Sequence, residues 1–378
     1  MKKTISILLT IIMAFMLSLT AYADNESGSD NLDSVMEGIN SQLEENIDEN
    51  VREQLDEEEI KIKDPETVNN FSVNKLFSKI ISEIAKLAGE PFKLIGKMIA
   101  ITLVCVLAKS LAPDGSSVVK TFEIVSVISS VMVVIGYITQ SINAVVGSLK
   151  AINTFMLSYI PVYASIIVTS GSPSAGTTYY VTLFALCEAI TLIANKLFLP
   201  MMSIVMAIAI VEAINPNLSF CNVADSLKKL VQWLLGAVMT IFVGILSVQS
   251  IIGVSADTVG VKAAKFAVST FVPVVGGAVS DAFSTVRSSL GVIRSGIGGV
   301  GIIIIIFIVL QPIILTALLK LVTTICAIIS EILDQKEIGK LMRNTSSIMS
   351  ISLSVIICIS LIFIVSTAVL MLAGLNLT

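Results

Sequence analysis

Read for the order of its apolar and polar positions, the chain divides into three parts. Behind Lys2 and Lys3 an apolar core runs over 4–19, and Ala21-Tyr22-Ala23 follows it. That is the basic, apolar, small-residue order of a secretory signal peptide over 1–23, with an uncleaved anchor as the alternative. Either reading places 24–93 outside the cytoplasm. In the second part, Leu32, Val35, Met36, Ile39, Leu43, Ile47, Val51 and Leu55 recur every three or four positions on an acidic background. This predicts an amphipathic helix whose stripe packs on its own neighbours or docks a partner. Asp64-Pro65-Glu66 reads as a helix start. Beyond it Phe71, Leu76, Phe77, Ile80, Ile84 and Leu87 share a face with lysines nearby, the pattern of a helix lying on a bilayer before the first span.

The third part, 94–378, is a membrane domain. Apolar runs predict spans at 94–111, 122–140, 151–169, 179–199 with a continuation to 214, 230–254, 296–329 and 348–375, seven or eight in all. The stretches 179–214 and 296–329 are too long for one crossing: the first would run roughly 54 Å as a helix, against a hydrocarbon core of about 30 Å. Pro200 and Pro312 fall inside them, and a proline that lacks its N–H and crowds the preceding turn predicts a kink or break at each.

Those prolines belong to a larger pattern. Tyr159-Ile-Pro-Val-Tyr-Ala-Ser165 resembles Phe271-Val-Pro-Val-Val-Gly-Gly277, with Pro161 and Pro273 112 positions apart. Each is followed 39 positions later by the second proline, Pro200 or Pro312. The expected fold is therefore all-α and polytopic, with proline-broken helices in two tandem repeats of about 112 residues (about 122–229 and about 234–341, then a last span). Inverted and parallel arrangements both remain open, because Lys and Arg counts on the two sides nearly balance.

Composition sharpens the class. The chain is 55% hydrophobic and 14% charged, with a mean hydropathy of +0.93, where a soluble domain carries about 25% charged residues. It has no histidine, which removes His-based triads, metal sites and proton relays. Cys105, Cys187, Cys221, Cys326 and Cys358 lack paired spacing and read as small buried residues. The net charge of −4 hides an asymmetry: residues 24–93 carry 18 acidic and 7 basic groups, whereas 94–378 carry 10 and 15. An acidic head thus sits on a mildly basic membrane body. No basic patch with interleaved aromatics points to nucleic acid.

Candidate functional residues fall into two sets. Pro161, Gly171, Ser174, Pro200, Pro273, Gly276, Gly277, Ser280, Asp281 and Pro312 mark expected irregular backbone. The sharpest case is 271–282, read as a re-entrant turn lining a cavity or as a surface loop. Glu188, Glu212, Gln311 and Lys320 are polar groups in apolar surroundings, functional by default or snorkelling from helix ends. None of the charges recurs at its repeat partner, which argues against a simple proton pump. Lys97 and Lys109 flank the first span as anchors. Gly291, Gly296, Gly298, Gly299 and Gly301 lack the Gly-Lys-Ser/Thr ending of a phosphate loop and predict close helix packing or a hinge.

The run Lys265-Phe-Ala-Val-Ser-Thr-Phe-Val-Pro-Val-Val-Gly-Gly-Ala-Val-Ser-Asp-Ala282 resembles the stage III sporulation protein AE family of endospore-forming bacteria. Tyr159-Ile-Pro-Val-Tyr163 with Ser170-Gly171, Leu199-Pro200, and the order of signal, head and multi-span body are similar to it as well. The resemblance implies a mother-cell membrane protein of the stage III sporulation operon complex. That complex, with its forespore-side partner, joins mother cell and forespore as a channel or secretion-like apparatus and sustains forespore development and late forespore gene expression. The acidic head would then face the space between the membranes. The resemblance implies no catalytic residues and no cofactor; Pro161, Gly171, Pro200, Pro273, Gly276, Gly277 and Asp281 would be structural. The expected function is thus a non-enzymatic channel-complex component. The alternatives are a stand-alone permease for a small solute, with its site between the Pro161–Pro200 and Pro273–Pro312 elements, and a membrane scaffold.

Overall fold

A computed structural model describes residues 47–61, 64, 67–68, 71–111, 117–169, 172–214, 226–246, 248 and 276–375. The signal region, most of the acidic head and residues 249–275 lie outside the described residues, and with them Gly171, Pro273 and the first part of the 271–282 run. The described chain is helical, with no strand among the described residues. Five of its helices are long and apolar enough to cross a membrane, which makes this a multi-pass membrane protein.

Two short helices lead in. Asp48 accepts a hydrogen bond from the Asn50 N–H and caps α1 (Glu49–Glu57). Val51 and Leu55, one turn apart, are buried, as is Ile47 before them. The C-terminal end of the predicted stripe therefore packs inside this chain; its start falls outside the described residues. At Asp64, where Asp64-Pro65-Glu66 predicts a helix start, a short helical turn begins, with the Thr67 N–H bonded to Asp64 O at 3.1 Å, but the α-helix starts later. Thr67 Oγ1 accepts from the Lys61 N–H at 3.0 Å and holds a turn there. The effective cap is Ser72, whose side chain accepts from the Lys75 N–H, and α2 spans Val73–Leu87.

Ala88 stays helical, donating to Ile84 O at 2.9 Å and accepting from the Phe92 N–H at 3.1 Å. These bonds join α2 to α3 (Gly89–Leu111). Lys79 of α2 is buried, paired with Glu57 of α1 and 5.9 Å from the centre of the Phe307 ring. Phe71 meets the same ring edge-on at 5.8 Å. The lead-in helices are thus part of the bundle's packing.

The spans predicted at 122–140 and 151–169 form one helix, α4 (Ser117–Thr169), 53 residues long and so roughly 80 Å. The segment between them holds no strong breaker. Pro161 forfeits a single backbone bond inside the helix rather than ending it, and its ring faces outward. Next come α5 (Pro173–Leu192), a six-residue π turn (Ile193–Phe198), α6 (Leu199–Ile214) and α7 (Ser226–Leu246). The π turn stands directly before Pro200: a widened turn makes room for the ring and absorbs the missing N–H. The predicted disruption near Pro200 is therefore a local widening in otherwise helical chain.

The break predicted at Pro312 does not occur. Helix α8 runs from Gly276 to Ile332, 57 residues, with Pro312 buried inside it. Packing on every side outweighs one lost hydrogen bond. The two proline sites that can be compared thus differ: Pro200 is exposed at a helix start, whereas Pro312 is buried mid-helix.

A tight turn at Leu333–Gln335, with Asp334 at φ 53° and Gln335 N–H bonded to Ser330 O at 2.8 Å, reverses the chain into α9 (Lys336–Leu375). The α8–α9 hairpin is the centre of the molecule: 72% and 67% of its most apolar windows are buried, against 22% for α3, α4 and α7.

Candidate functional site

Lipid is as apolar as leucine, so helices in a membrane associate through close packing and polar contacts rather than through escape from water. The two features that stand out in the sequence, the Tyr159–Tyr163 run and the glycine run, meet on this principle. Phe155, Tyr159 and Tyr163 lie one turn apart on α4 and stack with ring centroids 5.3 Å apart; Tyr179 of α5 meets Tyr163 edge-on, also at 5.3 Å. The ladder lies against α8 where it has no side chains. A Cβ at Gly301 would stand 2.5 Å from the Tyr159 ring, and one at Gly298 would stand 2.9 Å from the Tyr163 hydroxyl. The Tyr159 hydroxyl donates to Ile297 O at 3.2 Å. Of the two readings of the glycine run, packing is the one that Gly298 and Gly301 take.

Polar pairs fix the remaining helices against one another. On α6, Glu212 is buried and accepts from Asn344 Nδ2 of α9 at 3.1 Å. Ser141 of α4 bonds Thr316 of α8 at 3.0 Å, both buried. At the α8–α9 turn Gln335 accepts from the Cys105 thiol at 3.1 Å. Gln232 of α7 donates to Ser354 of α9 at 3.2 Å. Near the Glu212–Asn344 pair, a cleft of about 10 Å³ is lined by residues including Val134, Met206, Ala209 and Thr345, room for about one water.

The other predicted residues are dispersed. Pro161 is exposed on α4, Ser174 and Glu188 on α5, Pro200 at the start of α6, and Gln311 on α8, where Lys320 is half-buried. Gly276, Gly277, Ser280 and Asp281 lie in the first turns of α8, where the backbone is helical. Sequence reasoning singled out Glu212 but missed Asn344, Ser141 and Thr316. Thr316 lies inside an apolar run and carries the same signal that identified Glu212, whereas Ser141 beside Gln140 and Asn344 within Arg343–Ser347 fall between the predicted spans, where polar residues draw no notice. Among the described residues no cluster of His, Cys, Asp and Glu side chains has the makings of a metal site.

Comparison with known proteins matches residues 61–374, most of the chain, to the family model for stage III sporulation protein AE. A similar protein, stage III sporulation protein AE of Bacillus subtilis (strain 168), is 25% identical over 305 residues, covering 80% of this chain and 75% of its own length. No solved structure matches. With the match spanning everything from the turn after α1 to the end of α9, the chain belongs to the stage III sporulation protein AE family.

Proposed function

We propose that this protein is a non-enzymatic, multi-pass component of a channel or secretion-like complex linking mother cell and forespore, required for forespore development and late forespore gene expression. Family membership supports the process. The structural observation behind the assembly role is helix length. At 53 and 57 residues, α4 and α8 extend roughly 80 and 85 Å, more than twice a bilayer core of about 30 Å. A bundle that tall carries surface beyond the lipid, where other membrane proteins of the same operon and a forespore-side partner have access to it. The acidic head, on the extracytoplasmic side in this reading, adds to that surface.

The test is an affinity-tagged chromosomal copy isolated from sporulating cells, together with a deletion strain scored for spores and for a late forespore reporter. Co-purification with sporulation membrane proteins, and loss of both spores and reporter in the deletion strain, is the expected result. Normal spores refute the role. A purified chain that moves a small solute across liposomes unaided favours the permease reading instead.

A further inference from the structure

On α2 and α3, the row Lys86, Glu90, Lys93, Lys97 advances by four, three and four positions and is exposed throughout. The same row continues down α3 as Ala100, Val104, Leu107 and Leu111, also exposed. On α4, the exposed row Gly136, Gln140, Asn143, Gly147, Lys150 follows the same spacing. Towards the start of α4 it continues as Val118, Phe122, Val125 and Met132, with a half-buried Ser129 between the last two whose hydroxyl donates to Val125 O at 2.8 Å. Residues spaced this way occupy one helix face. Each face therefore changes from apolar to polar once along its length.

The two changes occur at one height. Lys97 Nζ donates to the Tyr137 hydroxyl at 3.3 Å and lies 5.4 Å from the centre of its ring. At the other end of the apolar rows, Lys109 pairs with Glu123 at 2.6 Å. From Lys97 to Leu111 is roughly 21 Å of helix and from Val118 to Gly136 roughly 27 Å, close to a hydrocarbon core of about 30 Å. A tyrosine with a lysine reaching past it is the usual furniture of a membrane–water boundary. Above that boundary no described residue crowds the glycine positions of the surface: a Cβ at Gly96, Gly136 or Gly147 would meet no atom within 4 Å. Hydrocarbon is a poor neighbour for this surface, since Lys86, Lys93, Lys97 and Lys150 would each lose hydration there.

We propose that the bilayer edge along this flank lies at the Lys97–Tyr137 contact. Above it, on the side of α1 and α2, the α2–α3 and α4 rows form one water-lined wall with an excess of positive charge. The wall is a property of this chain and stands whether or not the channel-complex reading holds.

The test is single-cysteine labelling of the full-length protein with a membrane-impermeant maleimide, in native membranes opened so that both faces are reached. The parent's own labelling is subtracted, and labelling after denaturation sets the maximum. Lys93→Cys, Gln140→Cys and Asn143→Cys are expected to react at least about tenfold faster than Val104→Cys, Leu107→Cys and Met132→Cys, because the reactive thiolate needs water. Equal, slow reaction at all six positions overturns the wall. Fast reaction at all six overturns the boundary. Upper positions that are slow in membranes but fast in purified protein show a protein partner covering the face, which also overturns it.

Discussion

Gly301 offers the most direct test of how this bundle is held together. Its missing side chain admits the Tyr159 ring: a Cβ would sit 2.5 Å from Tyr159 Cζ and 2.6 Å from its hydroxyl, where ordinary contact needs about 3.5 Å or more. Gly301→Ala therefore pushes α4 and α8 apart by about 1 Å. The Tyr159–Ile297 hydrogen bond, 3.2 Å long, does not survive that movement. Overpacking costs about 1–3 kcal/mol and the lost bond about 1 kcal/mol, giving a loss of roughly 2–4 kcal/mol before the alanine's better helix propensity returns up to about 1 kcal/mol.

The assay is reversible unfolding of the purified protein in detergent, with the steady-state level in cells as a second readout. Gly147→Ala is the control, since its Cβ meets nothing within 4 Å; it is expected to be neutral or slightly stabilising. Combining Gly301→Ala with Tyr159→Leu, which vacates the space, should be less damaging than the sum of the two by at least about 1 kcal/mol. A Gly301→Ala protein as stable as the parent, or strict additivity in the double variant, refutes the packing account.

Three further outcomes follow from the polar contacts. Asn344→Leu removes the donor to the buried Glu212 carboxylate and should cost about 1–3 kcal/mol, with Glu212→Gln in the same background recovering part of it; no loss in the same unfolding assay counts against the pairing. Ser141→Ala with Thr316→Val should cost only about 0.5–2 kcal/mol, and a collapse of expression would show that the pair matters more than register. The hydrogen bond and charge of Lys79 hold the Glu57 carboxyl below its ordinary value. The pair's contribution is therefore present above the ordinary glutamate value and is lost as pH falls through the lowered one. Protease sensitivity of the α1–α2 segment should rise in that acid window in the parent, and should vary less with pH in Lys79→Met.

Much of this was legible in the chain's pattern. Apolar runs marked α3, α7, α8 and α9 as membrane-length elements but divided α4 into two spans, and the glycine run pointed to close packing. Prolines misled because their local cost, one hydrogen bond and a crowded turn, is modest beside the contacts of a long packed helix: α4 continues through Pro161 and α8 through Pro312. Among these three described prolines, only Pro200 has a backbone response beside it, a π turn. Among the described residues Pro161, Pro200 and Pro312 stand on three different helices, and the close helix contact is a ladder of aromatic rings on glycine; Pro273 lies outside the described residues.

By itself the sequence determined that this is a helical, multi-pass membrane protein, and its motifs pointed to its family. Tertiary structure decided which helices are central, that Tyr159 seats on Gly301, that Glu212 answers to Asn344, and that Val51 and Leu55 serve the chain's own packing. The reason is physical. In water, polarity alone separates inside from outside. In a membrane, lipid and protein interior are equally apolar, so hydropathy says that a residue avoids water but not what it touches; shape and hydrogen bonding settle that, and they exist only once the helices are side by side.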